Sequence, residues 1–243
     1  IGTSHITLLT MSGKFVFVTG LSGAGKTTLG ECLKKDDNFL HFNVDVWAFG
    51  GDAITESGKV PDAEMKDKRD PELKQLFDNM YEKGLARISS GDPSMQVFED
   101  FFTRLAPDVL AVRNQNPDRH LVVSFSVYLR EIRDMVRRLF GEELHFIVLN
   151  PSIEKVARRR VQHWQDTAKE RGLTMFQFLT TWGVPEGTPV QPDEEVIANL
   201  LAYATNGAKG FEAAQSDEPN TLSIDDCTIE EAHAQARQYL GVA

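Results

Sequence analysis

Short runs of consecutive apolar and β-branched residues alternate along this chain with stretches whose apolar positions recur every three or four residues. Lys14-Phe15-Val16-Phe17-Val18-Thr19, Leu40-His41-Phe42-Asn43-Val44, Leu121-Val122-Val123-Ser124-Phe125, Leu144-His145-Phe146-Ile147-Val148-Leu149 and Thr221-Leu222-Ser223-Ile224 have the length and makeup of buried strands. Helices are predicted over Thr27 to Lys35 and from Pro71, where Leu73, Leu76, Phe77 and Met80 share a face. A further helix covers Pro93 to Arg113, with Phe98, Phe101, Phe102 and Leu105 on one side and a break near Pro107. Others span Leu129 to Phe140, a long run after Pro151 that frays near Trp164, a short one at Met175–Thr181, Pro192 to Tyr203, and Ile229 to Leu240. Val46 to Asp70 reads as loop because Gly50, Gly51, Gly58 and Pro61 break any period, and Gly183 to Pro189 reads the same way. Strands alternating with helices predict βαβ units: an α/β fold with a five-stranded parallel sheet and helices on both faces. The strands spread over the whole length, which favours one domain over residues 11–243.

Composition narrows the class without choosing a function. The 243 residues carry 26 Lys+Arg against 36 Asp+Glu, a formal charge of −10, with 41% hydrophobic and 26% charged residues. These proportions are globular and exclude a disordered or fibrous chain. The acidic balance argues against a nucleic-acid partner, since such binding pairs Lys and Arg with phosphates. No apolar run approaches the ~18 residues that a membrane span needs. Cys32 and Cys227 are too few for a disulfide framework and read as ordinary reduced thiols. A cytoplasmic setting with no membrane contact is the default expectation. Residues 1–10 read as an expression remnant ahead of a native start at Met11.

Gly20-Leu21-Ser22-Gly23-Ala24-Gly25-Lys26-Thr27 satisfies G-x-x-x-x-G-K-[ST] at every fixed position. The glycines let the backbone curl so that successive N–H groups face a phosphate, and the helix that follows adds its positive end. In this pattern Lys26 reaches the β- and γ-phosphates and the Thr27 hydroxyl ligates Mg²⁺. Gly20, Ser22, Gly23, Ala24, Gly25, Lys26, Thr27 and Thr28 are therefore the expected ATP-binding residues. A strand before and a helix after supply the context that the motif requires.

The remaining strands separate the classes of P-loop protein. The third strand, Val122-Val123-Ser124-Phe125-Ser126, lacks the terminal Asp of the large ATPases, and the chain has no Asn/Thr-Lys-x-Asp guanine signature. The second strand instead runs into Asn43-Val44-Asp45, which puts a carboxylate at the edge of the sheet where open α/β proteins bind ligands. Asp45 there could take a proton from an attacking hydroxyl and orient Mg²⁺ through water.

These features together resemble the gluconokinase branch of the gluconokinase/shikimate kinase family, small P-loop kinases of metabolite hydroxyls with a nucleoside-monophosphate-kinase-like fold and a lid. Gly20–Thr28 matches the family's phosphate loop, and Asn43-Val44-Asp45 sits where the family has Asp-Gly-Asp. Arg69-Asp70-Pro71-Glu72-Leu73, with Asp67 just ahead, is similar to an Arg-x-Pro-Trp-Leu segment. Val122-Val123-Ser124-Phe125-Ser126, followed by Arg130, Arg133 and Asp134, is similar to Val-Val-Ser-Cys-Ser and its arginine-rich helix. Phe146–Leu149 and then Arg160, His163 and Trp164 match the strand that runs into the lid. Glu72 stands in place of the family Trp, and the His-Pro and Asn-x-x-Lys-Met residues have no counterpart in Val46–Met65. Helical additions lie near 85–116 and 188–215.

The resemblance implies a kinase that transfers the γ-phosphoryl group of ATP, with Mg²⁺, to a small-molecule acceptor such as gluconate. Lys26, Asp45 and Arg160 are then catalytic, with Arg159 beside the nucleotide. Arg158-Arg159-Arg160 read as the end of a lid helix that brings guanidinium groups onto the transferred phosphoryl. Arg69 and Arg130 are candidates, with Asp45, for holding the substrate. Trp47 and Trp182 are candidates for lining its pocket. A nucleoside or nucleotide kinase, and a catalytically silent ATP-binding sensor, stay open as alternatives, as does the oligomeric state.

Overall fold

The computed structural model describes residues 13–36, 38–58, 70–181 and 189–242. In chain order these form β1 (Phe15–Gly20), α1 (Lys26–Asp36), β2 (Phe39–Asn43), α2 (Val44–Ala48) and α3 (Pro71–Asn79). A π-helical turn (Met80–Gly84) and a 3-10 segment (Leu85–Ser90) lead into α4 (Met95–Gln115), β3 (His120–Ser124), α5 (Arg130–Phe140) and β4 (His145–Leu149). α6 (Ile153–Glu170), α7 (Met175–Thr180), α8 (Asp193–Gly207), β5 (Thr221–Ile224) and α9 (Ile229–Leu240) complete the order. Asp67, Arg69 and Trp182 lie outside the described residues. No helix among the described residues is long and apolar enough to cross a membrane.

The five strands pair in the order β2-β3-β1-β4-β5, every pair parallel. All of β1 is buried, as a central strand covered on both faces must be. On one face Phe17 meets the rings of Phe102 from α4, Phe140 from α5 and Phe146 from β4. On the other, α1 lays Leu29 and Leu33 into the core and packs beside α9. The fold is thus a three-layer α/β sandwich. Its strand order has a functional consequence: the loop that leaves β1 emerges mid-edge, with the ends of β2 and β3 on one side and those of β4 and β5 on the other.

A second, smaller core lies apart from the first. Ala157, Val161, Trp164, Met175, Phe178, Val196 and Leu200 pack together from α6, α7 and α8. This burial is why α6 runs on to Glu170 instead of fraying at Trp164. It also places Arg158, Arg159 and Arg160 in the first half of that helix rather than at its end.

Two other expectations are corrected. α4 passes straight through Pro107, because Phe101, Phe102, Leu105 and Val109 are all buried around it and outweigh the roughly 3 kcal/mol that an interior proline costs. The start of the expected 46–70 loop is helical: the Asn43 side chain accepts from the N–H groups of Asp45 and Val46 and so nucleates α2. The 85–116 stretch, in α4, belongs to the main core, whereas α8 belongs to the small one.

Behind the sheet edge, Arg133 and Glu218 form an ion pair with both side chains fully buried. Arg133 donates Nε to Oε2 at 2.8 Å and Nη2 to Oε1 at 2.6 Å, and its Nη1 donates to the Glu212 carbonyl. Burial pushes the Glu218 carboxyl up, but the Arg133 bonds and the Gln215 N–H more than reverse this and hold it below its ordinary value. The pair stitches segment 211–219 to α5. Glu218→Gln should strand the arginine charge in the core, costing about 3–5 kcal/mol. For a chain of this size that lowers Tm by roughly 6–20 °C in calorimetry at pH 7. The deficit should shrink as pH falls through the depressed Glu218 pKa, where the wild-type carboxylate itself is lost.

Candidate active site

The loop after β1 has the geometry its sequence demands. Gly23 and Gly25 adopt φ of 89° and 102°, a region that costs a side-chain-bearing residue dearly. A Cβ on Gly20 would lie 2.4 Å from the Leu149 carbonyl, so only glycine lets β1 pass β4 this closely. Among the described residues, the N–H groups of Gly23, Gly25, Lys26 and Thr27 make no hydrogen bond within the chain. They form a concave set of donors at the start of α1.

Lys26, only 8% exposed, donates Nζ to the Gly20 carbonyl at 3.1 Å and the Leu21 carbonyl at 2.9 Å. Burial lowers its pKa from 10.5 to about 8; Asp45 opposes the shift and Arg160 adds to it. Asp45 sits in the first turn of α2. Burial raises its carboxyl above the ordinary aspartate value, and Lys26 holds it back. Its position is fixed through Asn43, whose N–H donates to the Ala53 carbonyl at 3.0 Å and whose Nδ2 donates to the Ser57 carbonyl at 2.6 Å.

Two cavities flank the loop. One, of about 270 Å³, is lined by Gly23, Gly25, Thr28, Leu149, Arg159 and the 224–229 turn after β5. The other, of about 310 Å³, is lined by Ser22, Lys26, Asp45, Ser126, Tyr128 and Arg160, with Phe77, Tyr81 and Tyr203 farther out. Consecutive arginines of α6 therefore serve opposite sides of the loop. The Arg160 guanidinium is held over the Trp164 ring at 4.8 Å and the Tyr203 ring at 5.7 Å.

The structure gathers Ser22, Lys26, Asp45 and Arg160 in one cavity, and Gly23, Ala24, Gly25, Thr28 and Arg159 in the other. It does not bring Arg130 to either. That guanidinium is taken up by Asp217, with Nη1 and Nη2 donating at 2.9 and 3.0 Å, and by Gln215 at 2.7 Å. A side chain already matched by a carboxylate fork has little left for a substrate. Arg133 is buried against Glu218, Arg158 pairs with Glu154 on its own helix, and His163 is exposed. Trp47 belongs to the core edge, donating Nε1 to Asp108 at 2.9 Å and packing edge-on against Phe101. The sequence reading missed Ser126 and Tyr128, which directly follow β3. The sheet-edge rule that selected Asp45 after β2 selects them too. Tyr81 and Tyr203 carried no comparable signal.

The donor set also bears on a metal. Among the described residues no group of three or more His, Cys, Asp and Glu is placed to hold one. Mg²⁺ needs none: it keeps several waters and is bound by substrate phosphates with one or two protein oxygens. The Thr27 hydroxyl, in the first turn of α1, is the oxygen that the motif offers for such an ion; Thr27 lines neither cavity.

The chain is similar to a sugar kinase from Janibacter sp. HTCC2649, with 17% identity over 95% of this chain and 96% of that one and a TM-score of 0.51. The two chains share a fold, a three-layer α/β sandwich around a parallel sheet. A gluconokinase from Sinorhizobium meliloti 1021 aligns at 18% identity, 94% and 91% coverage and TM-score 0.49. A shikimate kinase from Acinetobacter baumannii in complex with shikimate aligns at 14%, 95% of each chain and 0.43. No protein-family model matches the chain, and no curated protein matches its sequence.

Proposed function

We propose that this protein is an ATP-dependent kinase that transfers the γ-phosphoryl group to a hydroxyl of a small metabolite. The observation that carries the reading is the meeting of one carboxylate and two cations, Asp45, Lys26 and Arg160, in a single cavity at the mouth of a phosphate-binding loop. A loop that only bound nucleotide would have no use for a second cavity so equipped.

Phosphoryl transfer asks little covalent chemistry of a protein; positioning and charge stabilisation do most of the work. The loop N–H groups of Gly23, Gly25, Lys26 and Thr27 hold the β- and γ-phosphates, and Arg159 lies beside the nucleotide. Lys26 exchanges its carbonyl partners for phosphate oxygens, and Arg160 faces the charge that builds on the transferred group. Asp45 accepts the proton of the attacking hydroxyl or orients that hydroxyl for in-line attack. Mg²⁺, held by Thr27 and the phosphates, would supply charge neutralisation.

The test is coupled ADP release with Mg-ATP over a panel of small alcohols, beside calorimetric titration of Mg-ATP. Tight ATP binding with acceptor-dependent ADP release supports the kinase; binding with silence across the panel favours a sensor. Once an acceptor is found, the pH profile of kcat/KM should be bell-shaped. Activity should fall on the acid side as Asp45 protonates, at a pH above that of an ordinary aspartate, because burial raises its pKa. It should fall on the alkaline side near pH 8, where free-enzyme Lys26 loses its proton. A profile flat through pH 8 would remove Lys26 from the mechanism, and an acid limb no higher than that of an ordinary aspartate would remove Asp45.

A further inference from the structure

Resting on that kinase reading, we infer that the acceptor is an alcohol carried on a flat ring, such as a nucleoside or a heteroaromatic alcohol. The first ground is where the charge lies. Among the described lining residues the cations are Lys26 and Arg160; Lys26 feels the charge of both Asp45, where the phosphoryl group would be handed over, and Arg160. Arg160 is further fixed there by the faces of Trp164 and Tyr203. The rest of the described lining includes the neutral groups Leu85, Ala86, Ser89, Asn206 and Gly207. Of the two arginines that the sequence offers for an anionic substrate, Arg130 is spent on Asp217, and Arg69 lies outside the described residues.

The second ground is the wall between. Phe77, Tyr81, Phe125, Tyr128 and Tyr203 all face the same space. Tyr81 and Tyr203 are 42% and 53% exposed, so much of their ring area is left open at the cavity mouth rather than packed away. Their hydroxyls stand 3.4 Å apart, joining the π-helical turn to α8. A π turn displaces side chains from α-helical register and is enriched at functional sites, and here it carries Tyr81. Tyr128 is held from behind by Phe211, edge-on at 5.9 Å, and from the front by the Ser22 N–H. The enclosed space, about 310 Å³, lies at the small end of ligand pockets and suits one small ring system. Rigid tyrosines of this kind offer stacking faces plus a few hydroxyls, which a flat ring with polar edges uses fully.

The experiment is steady-state ADP release with Mg-ATP against four sets of acceptors: nucleosides, pyridine- and phenyl-methanols, neutral sugars, and charged acceptors (gluconate and nucleoside monophosphates). The expected result is a ring alcohol whose kcat/KM exceeds that of every sugar and sugar acid at least tenfold; the ring-bearing sets, nucleoside monophosphates included, show which ring source is preferred. Tyr81→Leu and Tyr203→Leu should each raise KM for that alcohol roughly three- to tenfold, the equivalent of one aromatic stacking contact; Tyr81→Leu should lower kcat less, whereas Tyr203→Leu also frees Arg160 and should lower kcat with it. Tyr203→Phe, which keeps the ring, should restore KM. Preference for gluconate or a neutral sugar overturns the inference while leaving the kinase intact, as does KM indifference to both leucine variants. ATP binding without turnover of any acceptor overturns the kinase reading and this inference with it.

Discussion

Replacing Asp45 by asparagine is expected to lower kcat by roughly 10²–10⁴-fold, the usual contribution of a positioned general base, with little change in ATP affinity. Asparagine has the same shape and keeps a hydrogen-bonding oxygen, so it can still orient a hydroxyl. It cannot take a proton or carry the charge that offsets Lys26. The variant should also lose the acid limb of the pH profile, because that limb follows the raised carboxyl pKa. α2 should persist, since its cap is the side chain of Asn43 and the Asp45 carboxylate takes no part in it. Unchanged far-UV circular dichroism would verify this. A kcat within about threefold of wild type would sink the assignment of Asp45 to the chemistry.

Lys26→Met should have an effect of similar size and opposite sign for stability. Activity should fall ~10²–10³-fold, the scale for losing one charge-stabilising donor in a preorganised site. The folded protein, however, gains. Burial depresses the Lys26 pKa from 10.5 to about 8, so below pH 8 the native state carries the cost of a reluctantly charged ammonium. At about 1.4 kcal/mol per unit this cost is roughly 3 kcal/mol as an upper bound, part of which offsets the two carbonyl bonds that methionine cannot make. A net rise in Tm of several degrees at pH 7 is expected. The sign follows from linkage: between pH 8 and 10.5 the native state binds fewer protons than the unfolded chain, so wild-type stability climbs with pH and the methionine advantage fades. Thermal scans at pH 7 and pH 10 decide it. A variant less stable than wild type at pH 7 would mean that the Gly20 and Leu21 carbonyls, not the buried charge, dominate at this position.

The two variants separate what was legible in the chain from what was not. Lys26 was assigned from the loop motif, whose constraints are local: curled glycines, a donor set and a helix start within eight consecutive residues. Asp45 was assigned from strand ends, a rule that needs only the sheet direction. The strands and most helices were read correctly because period and length are local properties too. The misses all share a cause outside the segment itself. α4 ignores Pro107 and α6 ignores the expected fraying at Trp164 because aromatic residues there are buried by partners far away in sequence. α2 was read as loop because its nucleus is one asparagine side chain, held in place by the Ala53 and Ser57 carbonyls.

The arginines show the limit most directly. In the sequence Arg130, Arg133 and Arg160 are alike, each a cation near a sheet edge. Arg130 belongs to Asp217, 87 positions on, and Arg133 to Glu218, 85 positions on, while Arg160 reaches the cavity over Trp164 and Tyr203. The sequence by itself determined the strands, the alternating α/β order, the phosphate loop and the carboxylate after β2, because short-range backbone chemistry and hydrophobic period specify each of them. Only the tertiary structure decided that the loop divides the sheet edge into two cavities, that Arg159 and Arg160 serve one each, and that three tyrosines from distant elements share a wall. Those facts depend on strand order and on which charges and rings find partners across the fold, and no local pattern encodes them.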